Sequence, residues 1–319
     1  MNINLFIVNT IAKTLRISWT LFKLMIPVIV IFKILSILGA IEIISNYINP
    51  LMEFVGLPGS MGIVWATSLI TGLYPAIIVF LSLVGEGENL TYAQTTILAT
   101  MILVAHNIPV ECRIAQGTGL NIFYTIFLRC VSAVIVAYIL NYIYNLNDFL
   151  QDTYILYWFA GPLDSSFSFW IMSQFKSFLL IFSIILVLTF LLEILKITGV
   201  EKILIKFLAP IFQTIGIGRE AATITVIGIT LGVSLGGGFL IDEVKQNNIQ
   251  KKDVLSSMTF LLLSHSLIED TLVVMALMGG HFSGVLVARV LYSIVIVWFV
   301  VALLKILNNN LSNKLFFKS

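Results

Sequence analysis

Charge is scarce in this chain of 319 residues. Only 11% of its residues are charged, 18 basic and 16 acidic, for a formal net charge of +2. Soluble domains carry about a quarter. There is no basic run of the kind that binds nucleic acid, and this excludes that class of partner. Cysteine is rarer still: Cys112 and Cys130 stand alone in apolar stretches, with neither metal-like spacing nor a disulfide framework. Histidine occurs three times, and no His-Glu-x-x-His helix, Ser-His-Asp arrangement, phosphate-binding loop or dinucleotide fingerprint is present. No nucleophile stands near the histidines, so the sequence reads as that of a non-enzyme, and no cofactor is implied.

What fills the chain instead is apolar: 59% hydrophobic residues and a mean hydropathy of +1.04. No soluble fold of this length hides so much apolar surface, so the lipid bilayer is the expected solvent. Apolar runs at roughly 18–40, 60–84, 120–144, 170–195, 221–241 and 282–307 read as spanning helices. The run Trp19–Ala40 is too long for a signal-peptide core and no small-residue cleavage site follows it, so we expect it to be a retained span. Two further runs, 92–118 and 251–279, are interrupted by polar residues: His106, Asn107, Pro109 and Glu111 in one, His265, Ser266, Glu269 and Asp270 in the other.

Shifting the chain by 160 residues places Gly39 on Gly199, Pro50 on Pro210, Gly56 on Gly216 and Gly72 on Gly232. The ladder Ser68, Gly72, Ala76 falls on Gly228, Gly232, Gly236. With one residue lost in a loop, His106 falls on His265 and Glu111 on Asp270; Arg129 then falls on Arg289. Apolar matches arise by chance in any membrane protein, but paired Gly, Pro, His and Arg do not. The expected division is a first repeat over 1–150, a linker over 151–167 and a second repeat over 168–319.

Orientation follows from loop charge. Lys13 and Arg16 precede the first span, and 42–59 after it has no basic residue. Its counterpart 196–219 has Lys196, Lys202, Lys206 and Arg219. The linker has only acids, and Lys305, Lys314 and Lys318 lie near the C-terminus. These charges place both termini in the cytoplasm, the linker outside, and the repeats in opposite orientations in a cytoplasmic membrane. The segment 242–253, with Lys245, Lys251 and Lys252, departs from the pattern. The expected fold is therefore an all-α polytopic membrane protein of two inverted-topology repeats. Each would have about three transmembrane helices, a re-entrant or broken helical hairpin (92–118 and 251–279) and an interfacial amphipathic helix (43–55 and 200–214).

The runs Gly56-Leu57-Pro58-Gly59, Gly72-Leu73-Tyr74-Pro75-Ala76 and Ala105-His106-Asn107-Ile108-Pro109-Val110-Glu111 resemble the gate-domain, or nucleoside-recognition, layout. That layout is shared by the membrane part of the ferrous iron transporter B, the concentrative nucleoside transporters and the spore maturation proteins A and B. The resemblance spans both halves and implies a fold and a transport-like role. It departs from the iron transporters in having Leu73 and Tyr74 where they place a cysteine, and in lacking their GTPase domain. The polar hairpin signatures of the nucleoside transporters do not appear cleanly either, so no substrate is implied.

Ionisable groups inside a membrane segment cost roughly 2.5–3.5 kcal/mol each on insertion scales and face water or a partner. We therefore expect a small polar solute or ion to bind at His106, Asn107, Glu111, His265, Ser266, Glu269 and Asp270. A second pair of helix breaks is expected at Tyr74 and Pro75 and at Ser234 and Gly236, with Gly236-Gly237-Gly238 interrupting the helix. Arg129 and Arg289 each lie eighteen or nineteen residues after the acid of their own half, so a structural ion pair is the competing explanation for one acid per half. It leaves His106, His265 and Glu269 unexplained. His106, Glu111, His265 and Asp270 are also a donor set for a divalent metal, although their spacing is no motif. The functional expectation is a permease; the rivals are a spore-maturation-type scaffold or regulator and a divalent-metal permease. The sequence leaves room for a homo-oligomer.

Overall fold

The computed structural model describes residues 3–85, 87–155, 167–246 and 248–318. Most of the expected linker, with Gly161, Pro162 and Asp164, lies outside the described residues. The first half runs α1 (Ile3–Ile37), α2 (Ala40–Phe54), α3 (Ser60–Thr71), α4 (Leu73–Gly85), α5 (Tyr92–Val104), α6 (Ile108–Gly117) and α7 (Ile122–Leu146). The second runs α8 (Phe167–Ile197), α9 (Val200–Thr214), α10 (Arg219–Leu231), α11 (Val233–Lys245), α12 (Lys251–Ser264) and α13 (Glu269–Met278). It closes with α14, which opens as a π-helical stretch over Ser283–Ala288 and continues over Arg289–Ile306, and a short α15 (Asn309–Phe316). The described residues form no strands, only two isolated bridges. Six stretches are long and apolar enough to cross a bilayer: Phe6–Ile37, Tyr92–Gly117, Ile122–Leu146, Trp170–Leu191, Lys251–Met278 and Ser283–Ile306. The chain is an all-α polytopic membrane protein.

Two expectations about the path of the chain are reversed. The run 60–84 is not one span. Gly72 (φ +100°) divides it into helices of 12 and 13 residues, about 18 and 20 Å long, too short for a hydrocarbon core of about 30 Å. The two arms pack against each other as a hairpin. Gly232 (φ +92°) does the same for 221–241. There the arms touch backbone to backbone: a Cβ built on Gly236 would lie 2.5 Å from the Gly228 Cα. Conversely, 92–117 and 251–278 do not double back. α5 and α6 barely touch each other, and α7 runs beside both. Each is a broken helix that carries the chain onward.

The hairpin breaks also fall elsewhere than expected. Both sit at the glycines, whose backbone angles are closed to other residues, and not at Tyr74-Pro75 or Gly236–Gly238. Pro75 lies in the first turn of α4, where a missing N–H costs nothing. The three glycines lie inside continuous α11: Gly236 packs on Gly228, and a Cβ on Gly237 would lie 2.3 Å from the Ile114 Cγ2. Their smallness serves close packing.

Contacts between the halves are reciprocal. α6 packs on α11 as α13 packs on α4, and α5 meets the start of α14 as α12 meets α7. α1 and α8 pack on each other outside this centre. The Lys13–Glu193 ion pair joins the two. α1 also packs on α4, and α8 on α13. The start of each broken helix is anchored to the loop before its own hairpin. Thr91 and Gln94 form a capping box at α5, and Gln94 Nε2 donates to the Gly56 carbonyl at 3.1 Å. At α12, Asp253 Oδ1 accepts from the Gly218 N–H at 3.0 Å.

Candidate functional site

All four helix breaks converge. In the first half, the Asn107 N–H donates to the Ser68 carbonyl at 2.8 Å, tying the α5–α6 break to the hairpin. In the second, the Leu267 N–H donates to the Ile229 carbonyl at 2.9 Å. Asn107 (φ +48°) and Ser266 (φ +47°) both hold left-handed backbone, which a short polar side chain tolerates best. Pro109 sits in the first turn of α6, so it starts that helix as the break ends. The second half makes the same break without a proline.

Breaking a helix leaves carbonyls at its end without partners, and in a bilayer these need protein donors. Two arginines supply them. Arg129, fully buried on α7, donates through Nε to the Val104 carbonyl at 3.1 Å and through Nη1 to the His106 carbonyl at 2.8 Å. Arg289, equally buried on α14, donates to the Leu263 and His265 carbonyls at 2.9 and 2.8 Å. A fixed positive charge at a helix C-terminus also complements the helix dipole. Arg129 Nη1 further lies 2.7 Å from Glu111 Oε2, so the expected ion pair is formed in the first half. On Arg289, Nη1 has no hydrogen-bond partner.

The two histidines meet at the centre. His106 Nε2 and His265 Nε2 are 3.4 Å apart. Each Nδ1–H donates to the carbonyl four residues earlier, Ile102 at 2.8 Å and Leu261 at 2.9 Å. A carbonyl only accepts, so the proton of a neutral ring sits on Nδ1 and the Nε2 lone pair points inward. Glu111 Oε1 lies 3.4 and 3.5 Å from the two Nε2 atoms, and Asp270 Oδ2 lies 3.9 and 4.0 Å from them. His106, His265 and Asp270 present ligand atoms within 4.8 Å of one another, a set able to hold a metal ion.

The chain is similar to an uncharacterized membrane protein, YvoD, of Bacillus subtilis (strain 168): 26% identity over 267 residues, covering 82% of this chain and 84% of that one. This chain, too, is a membrane protein. No family model matches it, and no solved structure does.

The structure thus brings together His106, Glu111, His265 and Asp270, with Arg129 and Arg289 behind them. Asn107 serves through its backbone; Ser266 does so too and its side chain also hydrogen-bonds Asp270, and a Cβ on Gly232 would lie 3.0 Å from Ser266 Oγ. Glu269 opens α13 beside Asp270. Tyr74 opens α4, which packs on α13 and brings the ring into electrostatic reach of both acids. Pro75 is buried in the same turn. Gly236 is a packing residue away from the break, and the side chain of Ser234 lies outside the described residues. Sequence reasoning missed Ser68, buried at the break, whose carbonyl receives the Asn107 N–H. It stands in the small-residue ladder opposite Gly228, and a carbonyl that accepts a hydrogen bond leaves no mark in the sequence.

Proposed function

We propose that this chain is a transporter for a small polar solute or ion, with its binding site where the four helix breaks meet. The observation that carries the reading is the shared centre: two hairpin tips and two broken helices converge on a buried cluster to which each half gives one histidine and one carboxylate. Broken helices at membrane depth are where transporters bind cargo, because freed backbone and charged groups are tolerable only beside protein, water or a ligand. Nothing in this cluster resembles a nucleophile with its base, so we read it as a binding site and not a catalytic one.

Exposure at the centre is lopsided. The Asp270 side chain is 15% exposed and that of Glu111 is 3%. The site is thus shielded on the Glu111 side and more open on the Asp270 side, as one state of an alternating-access cycle would be. In this reading the halves are inverted repeats in a cytoplasmic membrane, with both termini inside. The resemblance to the nucleoside-recognition layout supports the architecture and leaves the cargo open.

The test is uptake into proteoliposomes against a panel of nucleosides, organic acids and divalent metals. Accumulation of one class, abolished in His106→Ala and His265→Ala variants that still fold, is the expected result. A folded, correctly reconstituted protein that moves no member of the panel overturns the reading in favour of a scaffold.

A further inference from the structure

The inward atoms of the central cluster pose an electrostatic problem. With Nδ1–H of both rings committed to carbonyls, His106 Nε2 and His265 Nε2 face each other as lone pairs at 3.4 Å. Glu111 Oε1 lies 3.4 and 3.5 Å from these two atoms, and Asp270 Oδ2 lies 3.9 and 4.0 Å from them. Four acceptors therefore gather around the histidine pair, and Arg129 meets Glu111 from outside it through Oε2, the oxygen turned away from the rings. A cation at their centre relieves the repulsion among these lone pairs.

We propose that His106 Nε2, His265 Nε2, Asp270 and Glu111 form a binding site for a borderline divalent transition-metal ion, of the zinc or cobalt class, and that this ion is the cargo. The assignment of cargo rests on the transport reading above; the site itself does not. Geometry favours it. Ligand atoms bonded at about 2.0–2.1 Å to a tetrahedral ion lie about 3.3 Å from one another. The three separations among the Nε2 atoms and Glu111 Oε1 are 3.4, 3.4 and 3.5 Å, and Asp270 Oδ2 needs to close from 3.9 and 4.0 Å. Two imidazoles with two carboxylates suit zinc, cobalt or nickel, and suit calcium or magnesium poorly.

The surroundings are those of a metal site. Metal-bound histidine almost always donates its other N–H to a carbonyl or carboxylate, which fixes the tautomer and aims the ring; both histidines do so here. Arg129 holds Glu111 by Oε2 and leaves Oε1 turned to the histidines. Charge also fits a transient occupant. Arg129 and Arg289 give +2, and Glu111, Glu269 and Asp270 give −3, for a net −1 before binding; a dication changes this to +1. The site attracts the ion, but the resulting excess positive charge keeps the hold from becoming permanent, and cargo has to leave again.

Purified, chelator-stripped protein in detergent should be titrated with Co2+ and followed by visible absorption, then challenged with Zn2+. We expect one Co2+ per chain, with the intense d–d bands of a low-symmetry four- or five-coordinate ion, displaced by Zn2+. His106→Ala, His265→Ala and the isosteric Asp270→Asn should each weaken binding roughly tenfold or more, whereas His281→Ala, which alters the remaining histidine, should not. Folding of each variant is checked by thermal unfolding, and the wild-type titration stands independently of them. Absence of binding by wild type, as in a cluster that holds only a proton, overturns the proposal. So does Co2+ binding that survives the His106→Ala/His265→Ala double change. Organic-solute uptake without metal binding defeats the metal site and spares the transporter. Metal binding without uptake of any member of the panel defeats the transporter and spares the site.

Discussion

Replacing Arg129 with methionine keeps its length and removes its charge. Three interactions go with it: the bonds to the Val104 and His106 carbonyls at 3.1 and 2.8 Å, and the 2.7 Å contact with Glu111. Glu111 is left as a buried carboxylate without its counter-ion, a loss that costs about 3–5 kcal/mol in buried pairs. Removing the acid as well, in Arg129→Met/Glu111→Leu, lifts that part of the penalty and leaves the carbonyls unserved. The double variant should therefore recover part of the loss, with a coupling energy of roughly 1–3 kcal/mol. Reversible unfolding in mixed micelles of rising SDS fraction, followed by tryptophan fluorescence, measures all four corners of the cycle. A single variant within about 1 kcal/mol of wild type, or strictly additive changes, would refute the view that Arg129 serves both the helix break and the acid.

Gly72→Ala and Gly232→Ala force a Cβ onto backbone at φ +100° and +92°, and each should destabilise the fold by roughly 1–3 kcal/mol in the same assay; neutrality would show that the hairpin tips relax. Cysteines introduced at Gly237 and Ile114, in a background without Cys112 and Cys130, should cross-link under mild oxidation, because a Cβ on Gly237 falls 2.3 Å from the Ile114 side chain; no cross-link would count against the packing of α6 on α11. If the halves are inverted, a single cysteine at Asn49 should react with a membrane-impermeant reagent in intact cells and one at Gln213 only after permeabilisation, and labelling of both in intact cells sinks the inversion. Treating Co2+-loaded protein with a chelator should lower its unfolding temperature, and His106→Ala should abolish that difference; an unchanged temperature in wild type would mean that the ion does not stabilise the fold.

The sequence revealed the helix breaks at His106 and His265 because a histidine, a carboxylate and an arginine recur at matching places in both halves. Such groups are too costly in lipid to be incidental. It did not reveal which segment folds back. Composition measures how apolar a run is, and 60–84 is as apolar as any span. Its reversal depends on one backbone angle at Gly72, and a glycine in an apolar run also serves packing, as Gly236 does. The arginines were legible as partners of acids. Their bonds to four backbone carbonyls were not, because a carbonyl carries no sequence signature. The 3.4 Å meeting of the histidines likewise depends on how the halves dock, although the repeat already placed the two at equivalent positions.

The two outer helices, α1 and α8, have 35 and 31 residues, about 52 and 46 Å at 1.5 Å per residue. A hydrocarbon core is only about 30 Å thick, so both helices must lean or project well into the headgroups. Their lean then depends on the thickness of the surrounding bilayer, with hydrophobic mismatch costing fractions of a kcal/mol per Å. Because α1 rests on α4 and α8 on α13, a change of lean bears on the helices that carry Tyr74 and Asp270. Lipid chain length is thereby mechanically connected to the side of the central cluster that carries Asp270, and reconstitution in bilayers of graded thickness tests that connection.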